Sequence, residues 1–299
     1  MTTAEPAADD LTSLDLYDVA AQSAAAQVIR HYSTSFGLGT RLLPGAMRRH
    51  IESVYAMVRV ADEIVDTYRG SDAGAQLDTF EAEVHGAMAH GFSTNVVAHA
   101  FGTSARAVGI DRELVDPFFA SMRMDLDTAE HDDDSLARYI HGSAEVVGEM
   151  CLAVFLNTGM GPRPMPDHLR ASARRLGAAY QKVNFLRDLG ADSAALGRSY
   201  FPGVTADSLS EDQLAVLVAD CRADLVAARG TLPELPRPAR VGVATTVDIY
   251  ERLLDRIAAT PAADLARERI RVPDAAKAVL AVRNLVAPGR SSTEPDGAA

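Results

Sequence analysis

Two pairs of aspartates, each spaced four residues apart, carry the first chemical signal in this sequence: Asp62 and Asp66 in VYAMVRVADEIVDTY, and Asp188 and Asp192 in AAYQKVNFLRDLGAD. On a helix, residues at that spacing project from one face, one turn above the other. Like charges so placed repel, so each pair asks for a neutralising partner. The neighbours are polar in the same way. Arg59 stands one turn before Asp62 and Tyr55 one turn earlier; Gln181, Asn184, Asp188 and Asp192 run along one face with Arg187 beside them. Taken alone, either pair reads as a solvated helix face with local arginine pairing. Both stripes, however, sit in otherwise apolar helices and repeat the same polar types, which favours a shared function.

Carboxylates that project into a common cavity suit Mg²⁺, a hard ion that keeps several waters and takes one or two carboxylates together with substrate phosphate oxygens. The combination predicts a diphosphate ligand. Without it the acids repel one another, whereas several Mg²⁺ and a diphosphate between them nearly balance the charge. Ligand and metal should therefore bind interdependently.

The elements that position these residues are predicted to be helices. From Pro44 to Tyr68, the residues Met47, Ile51, Val54, Val58, Ala61 and Val65 fall three or four apart, leaving one apolar stripe. The same period predicts helices over 15–31, 44–68, 75–90, 111–129, 134–157, 166–191, 209–229, 239–259 and 273–285, with no strand. Prolines in 159–166 and 233–240 mark connections, neither long enough for a domain linker. One helical domain is expected over 13–287, between small, polar tails at 1–12 and 288–299.

Composition agrees. Of 299 residues, 47% are apolar but only 6% aromatic, and Trp is absent, which favours a helical core over a β-sandwich. The net charge of -12, with no basic patch, argues against nucleic-acid binding and means that an anionic substrate needs metal help. Two cysteines, Cys151 and Cys221, are too few for a zinc cluster or a disulfide framework and fit a reducing cytoplasm. The opening MTTAEPAADD lacks the basic and apolar regions of a secretory signal, and no apolar run approaches the roughly 18 residues of a spanning helix. A cytoplasmic protein, at most peripheral to a membrane, is expected.

Other motifs point nowhere else. His131-Asp-Asp-Asp134 reads as a solvated turn with an N-cap. No His-Glu-x-x-His spacing and no Gly-x-Ser-x-Gly elbow is present, and no Gly-rich dinucleotide fingerprint follows a strand. Arg267, Arg269 and Arg271 alternate as on a solvated face, with a lid over diphosphate as the sharper reading.

At the acidic pairs the sequence resembles the squalene/phytoene synthase family, whose two Asp-x-x-x-Asp motifs read here as Asp62-Glu-Ile-Val-Asp66 and Asp188-Leu-Gly-Ala-Asp192. Tyr32-Ser-Thr-Ser-Phe36 followed by Leu43-Pro44, Met122-Arg-Met-Asp-Leu126 and Gly197-Arg-Ser-Tyr-Phe-Pro202 resemble further family segments, over roughly 25–285. The resemblance implies an all-α, single-domain helical bundle of the isoprenoid-synthase type around a central hydrophobic cavity. It implies that Tyr32, Ser33, Ser35, Tyr55 and Arg59 contact diphosphate and that Asp62, Asp66, Asp188 and Asp192 hold Mg²⁺, with Mn²⁺ as a substitute. Gln181, Asn184, Arg187 and Tyr250 would complete the pocket, Asn184 among the metal ligands, with Arg269 near the C-terminal end. The implied reaction joins two prenyl diphosphates head to head through a cyclopropylcarbinyl diphosphate.

Phytoene from two geranylgeranyl diphosphates is the expected product, without NADPH and for carotenoid synthesis. A C15-using squalene or dehydrosqualene synthase is the nearest alternative, and a non-catalytic assembly protein of the same fold the alternative of another class. A monomer or weak dimer is expected, with peripheral membrane contact for product release. In Tyr139-Ile-His-Gly-Ser-Ala-Glu-Val-Val-Gly148, His141 and Glu145 stand where family members commonly have a second Tyr and a Gly. His141 reads either as a hydrogen-bonding replacement near the diphosphate or as an ordinary core histidine.

Overall fold

Sequence-local signals set most helix ends. Asn95 accepts hydrogen bonds from the amides of Val97 and Ala98, and Asp132 and Ser210 each form a capping box with the residue three positions on. Prolines 44, 236, 261 and 273 precede helices, where a missing N–H costs nothing, and Gly91 and Gly109 end helices with φ of 76° and 79°.

A computed structural model describes residues 13–288 apart from 69, 128–129, 197–199, 206 and 268, with backbone alone at 35 and 191–196. Every regular element among the described residues is helical: α1 Ser13–Tyr32, α2 Ser35–Arg41, α3 Gly45–Asp66, α4 Ala73–His90, α5 Val96–Val108, α6 Arg112–Asp127, α7 Asp133–Ile140, α8 Val146–Asn157, α9 Asp167–Leu196, α10 Glu211–Thr231, α11 Arg237–Ala258, α12 Ala262–Leu265 and α13 Asp274–Val286. A π-helical turn, His141–Glu145, joins α7 to α8, so the run expected over 134–157 is one helix with an inserted bulge. Its 25 residues, Asp133–Asn157, are apolar and long enough to cross a membrane, but 56% of the apolar window is buried inside the molecule, which is the pattern of a core helix. The expectation that no run reaches that length is corrected here.

The periodicity missed α5 altogether. Its sequence, VVAHAFGTSARAV, is interrupted by Gly102, Thr103 and Ser104, weak helix formers. Packing explains the glycine: a Cβ at Gly102 would lie 2.6 Å from the backbone carbon of Ala87, so α4 and α5 approach as closely as they do only because it has none. The short α2 and α12 were also missed, being too brief to show a period.

Two apolar clusters form the interior. One gathers α1, α3, α4, α5, α6 and α8; the other gathers α7, α9, α10, α11 and the segment around Tyr200 and Phe201. A cavity of about 500 Å³ opens along their seam, walled by α2, α3, the π turn, α8, α9, α10 and α11. At that seam Gly177 of α9 sits against the π turn, where a Cβ would come within 2.3 Å of the Ala144 carbonyl oxygen.

Behind the cavity, fully buried Asp248 ties three helices together. Its carboxylate accepts from Arg229 of α10 at 2.6 Å and from Arg283 and Asn284 of α13. Removing one member of such a group strands the others' charge. Asp248→Ala is therefore expected to destabilise the fold by about 3–5 kcal/mol, seen as a fall in Tm of about 10 °C in thermal melts. A melt within about 2 °C of the parent would show the network to be dispensable.

Candidate active site

One end of the cavity is polar and the rest apolar. Tyr32 and Ser33 at the α1–α2 junction, Tyr55 and Arg59 of α3, Gln181, Asn184 and Arg187 of α9, Tyr250 of α11 and Arg269 before α13 all line it. Farther in, Ile51, Val54, Leu152, Phe155, Leu169 and Leu232 form the wall. Nine residues marked by the sequence from five segments thus meet around one opening.

Arg59 sits 4.5 Å above the centre of the Tyr32 ring and is bonded to Glu63, with Asp62 at 3.9 Å. Its Nε is buried and has no hydrogen-bond partner. A buried guanidinium N–H without an acceptor is costly, and Arg59, which lines the cavity, offers its charge to an anion there. Across the opening, Arg187 binds its neighbour Asp188, and Arg269 reaches the same carboxylate at 2.7 Å. Arg269 thus reaches over the site while its side chain stays 51% exposed, so it remains at the surface as it caps; neither Arg267 nor Arg271 lines the cavity.

The acids themselves do not line the cavity; Asp62 and Asp188 each join it through an arginine that does. Burial pushes the Asp62 carboxyl up to about 8, and Asp66, then Asp125 and Glu63, add to the rise while Arg59 opposes it. Asp62 keeps 31% of its side-chain surface open, and a bound cation would reverse the rise. Tyrosines connect the two sides. Burial raises the Tyr55 hydroxyl, with Arg59 and Ser33 pulling it down and Asp62 and Tyr250 pushing it up. Burial likewise raises Tyr250, which donates to Asn184 Oδ1 at 3.2 Å and feels both Arg187 and Asp188. The fields of Asp62 and Asp188 therefore meet across a pair of tyrosines. Asp192 lies in α9 one turn past Asp188, but its side chain, like that of Ser35, is outside the described residues.

Several residues here were not expected at the site. Ser143 Oγ is buried without a partner in the cavity wall, placed there by the π turn. Asp125 of α6 accepts from the Tyr139 hydroxyl at 3.0 Å and adds a third carboxylate to the field at Asp62. Tyr180 stacks on Tyr250 with ring centres 3.9 Å apart, so a pair of aromatic faces borders the cavity. His141 follows neither reading given above. It is 41% exposed, bonded through Nδ1 to Glu145 at 2.9 Å, and outside the cavity. His131 is buried against Tyr139 and Tyr200, while Asp132 caps α7 as expected. The His131 end of that turn is therefore not solvated.

The donor set fits a hard divalent cation, since the carboxylates and the Asn184 amide offer oxygen.

The profile of the family described as Squalene/phytoene synthase matches residues 29–276. A 15-cis-phytoene synthase of Synechocystis is 33% identical over 59% of this chain and 54% of its own length. A phytoene synthase of Mycobacterium bovis is 28% identical over 79% of the chain and 81% of the relative. The match covers 66% of the length of a Zea mays phytoene synthase, so the chain spans about half to two thirds of several such relatives. Among solved structures, a dehydrosqualene synthase superposes with a TM-score of 0.76 at 20% identity, covering 91% of this chain and 97% of its own. A squalene synthase of Alicyclobacillus acidocaldarius gives 0.69 at 23%, covering 82% and 94%. These likenesses establish the helical fold, and with the profile match over most of its length the chain belongs to the squalene/phytoene synthase family.

Proposed function

We propose that this chain is a Mg²⁺-dependent prenyltransferase that condenses two geranylgeranyl diphosphates head to head into phytoene, through a cyclopropylcarbinyl diphosphate. The observation that carries the reading is the convergence of Arg59, Arg187 and Arg269 at one end of a cavity whose remaining walls are mostly apolar. A prenyl diphosphate matches both halves: an anion for the guanidinium groups and a hydrocarbon for the walls. The curated relatives favour the C20 substrate, since those reported above are phytoene synthases.

Asp62, Asp66, Asp188, Asp192 and Asn184 would hold the cation, which when bound supplies Lewis-acid stabilisation of the departing diphosphate. Arg59, Arg187 and Arg269 are paired with the acids in this structure. They can turn to a diphosphate only where those carboxylates have other positive partners, which accounts for interdependent binding of metal and substrate. The leaving group then meets donors already in place on rigid helices. The apolar wall keeps water from the allylic cation, and the stacked Tyr180 and Tyr250 rings offer it π faces.

Loss of a proton ends the sequence without a reductant. Purified protein with Mg²⁺ should convert C20 prenyl diphosphate to a C40 hydrocarbon equally with and without NADPH, as read by mass spectrometry of the extract. A C30 product from C15 substrate alone would overturn the C20 assignment and leave the reaction class standing.

A further inference from the structure

Away from the cavity, α4 and α6 bring a histidine and two carboxylates together. Glu81 and His85 are one turn apart on α4, and Asp116 comes across from α6. His85 Nε2 lies 3.1 Å from Asp116 Oδ1 and 3.5 Å from Glu81 Oε1, and the three donor atoms all fall within 4.8 Å of one another. Directed hydrogen bonding does not account for the geometry. Both ring nitrogens of His85 are sealed from solvent, and neither makes a hydrogen bond, so neither carboxylate meets an N–H along its direction.

A tetrahedral metal with bonds of about 2.0–2.1 Å holds its ligand atoms about 3.3 Å apart, between the separations seen here. The second Glu81 oxygen is held by Arg123, which also binds Asp78, leaving Oε1 for another partner. Arg112 reaches Asp116 only at 3.4 Å. With Glu81, Asp116 and Asp78 against Arg123 and Arg112, the acids outnumber the arginines by one.

We propose that Glu81, His85 and Asp116 form a binding site for a divalent transition metal of the zinc class, with a fourth position open to water. An imidazole nitrogen beside two carboxylates suits Zn²⁺ better than Mg²⁺. None of the three residues lines the cavity, so this site differs in place and donor type from the oxygen-rich acids of α3 and α9. Its metal would clasp α4 to α6, and α6 packs on α3, the helix that carries Asp62 and Asp66.

The test uses the full chain stripped of metal by a chelator. Co²⁺ should give the strong visible absorption of a low-coordinate nitrogen and oxygen site, and Zn²⁺ should displace it at one per chain and raise Tm. Asp116→Asn, at a side chain 47% exposed, should fold normally and weaken Zn²⁺ about 10-fold or more in competition with a chromogenic chelator. His85→Gln should abolish the Co²⁺ bands. Absent bands in the parent, unchanged affinity in Asp116→Asn, or Zn²⁺ binding that survives His85→Gln but is lost in Asp62→Asn would each overturn the proposal.

Discussion

Asp62→Asn lowers kcat by about a thousandfold or more while the far-ultraviolet circular dichroism keeps its helical signature. The substitution is nearly isosteric and touches no core contact, so the fold has no reason to yield. On the proposed mechanism, what is lost is the charge that would hold a cation where the diphosphate leaves. The same carboxyl makes a second measurement decisive. Its pKa is raised, to about 8, so between the ordinary carboxylate value of 3.8 and that point the folded chain keeps a proton the unfolded chain has released. Stability of the metal-free parent therefore falls as pH rises through this window. Asp62→Asn removes that loss: its metal-free melts should be flatter with pH and a few degrees higher than the parent at pH 8, with little difference at pH 4. Mg²⁺ with diphosphate should raise the parent's Tm and leave the variant's unmoved. Near-normal turnover in the variant, or a parent whose metal-free stability increases across that range, would remove Asp62 from the proposed metal site.

Arg59→Ala should cost about 10²–10³ in kcat/KM for the C20 substrate, with kcat falling more than KM rises. The split follows from the role. A guanidinium turned toward the diphosphate would gain most as the C–O bond breaks and charge collects on the leaving group. Arg59→Lys keeps the charge, but it cannot place a donor where the buried Nε stands or spread over the Tyr32 ring, so it should restore only part of the loss. Steady-state kinetics on the parent and both variants decide the matter. Alanine within about threefold of the parent, or full rescue by lysine, would mean that Arg59 serves only to neutralise Glu63 and Asp62.

Much of the molecule is legible in its sequence, for reasons of range. The stripes around Met47 to Val65 and Gln181 to Asp192 are statements about residues three and four apart, and a helix carries those spacings into space whatever surrounds it. The capping box at Asp132 is equally local. The aspartates, Arg59 and Asn184 could be picked out because their polarity interrupts an apolar period. Helix α5 could not, because Gly102 is explained by Ala87, a residue of another helix.

Tertiary structure alone decided the rest. Arg269 looks like one of an alternating surface trio until the chain folds it onto Asp188, eighty-one positions away. Ser143 enters the cavity because a π turn shifts the phase of its helix, and His141 leaves it for the same reason. Asp125, and the meeting of His85 with Asp116, depend on how α6 lies against α3 and α4. By itself the sequence determined the longer periodic helices and which of their faces are charged, since helical periodicity is a short-range property. Which charged faces share a cavity, and which arginine answers which acid, depended on packing between distant segments.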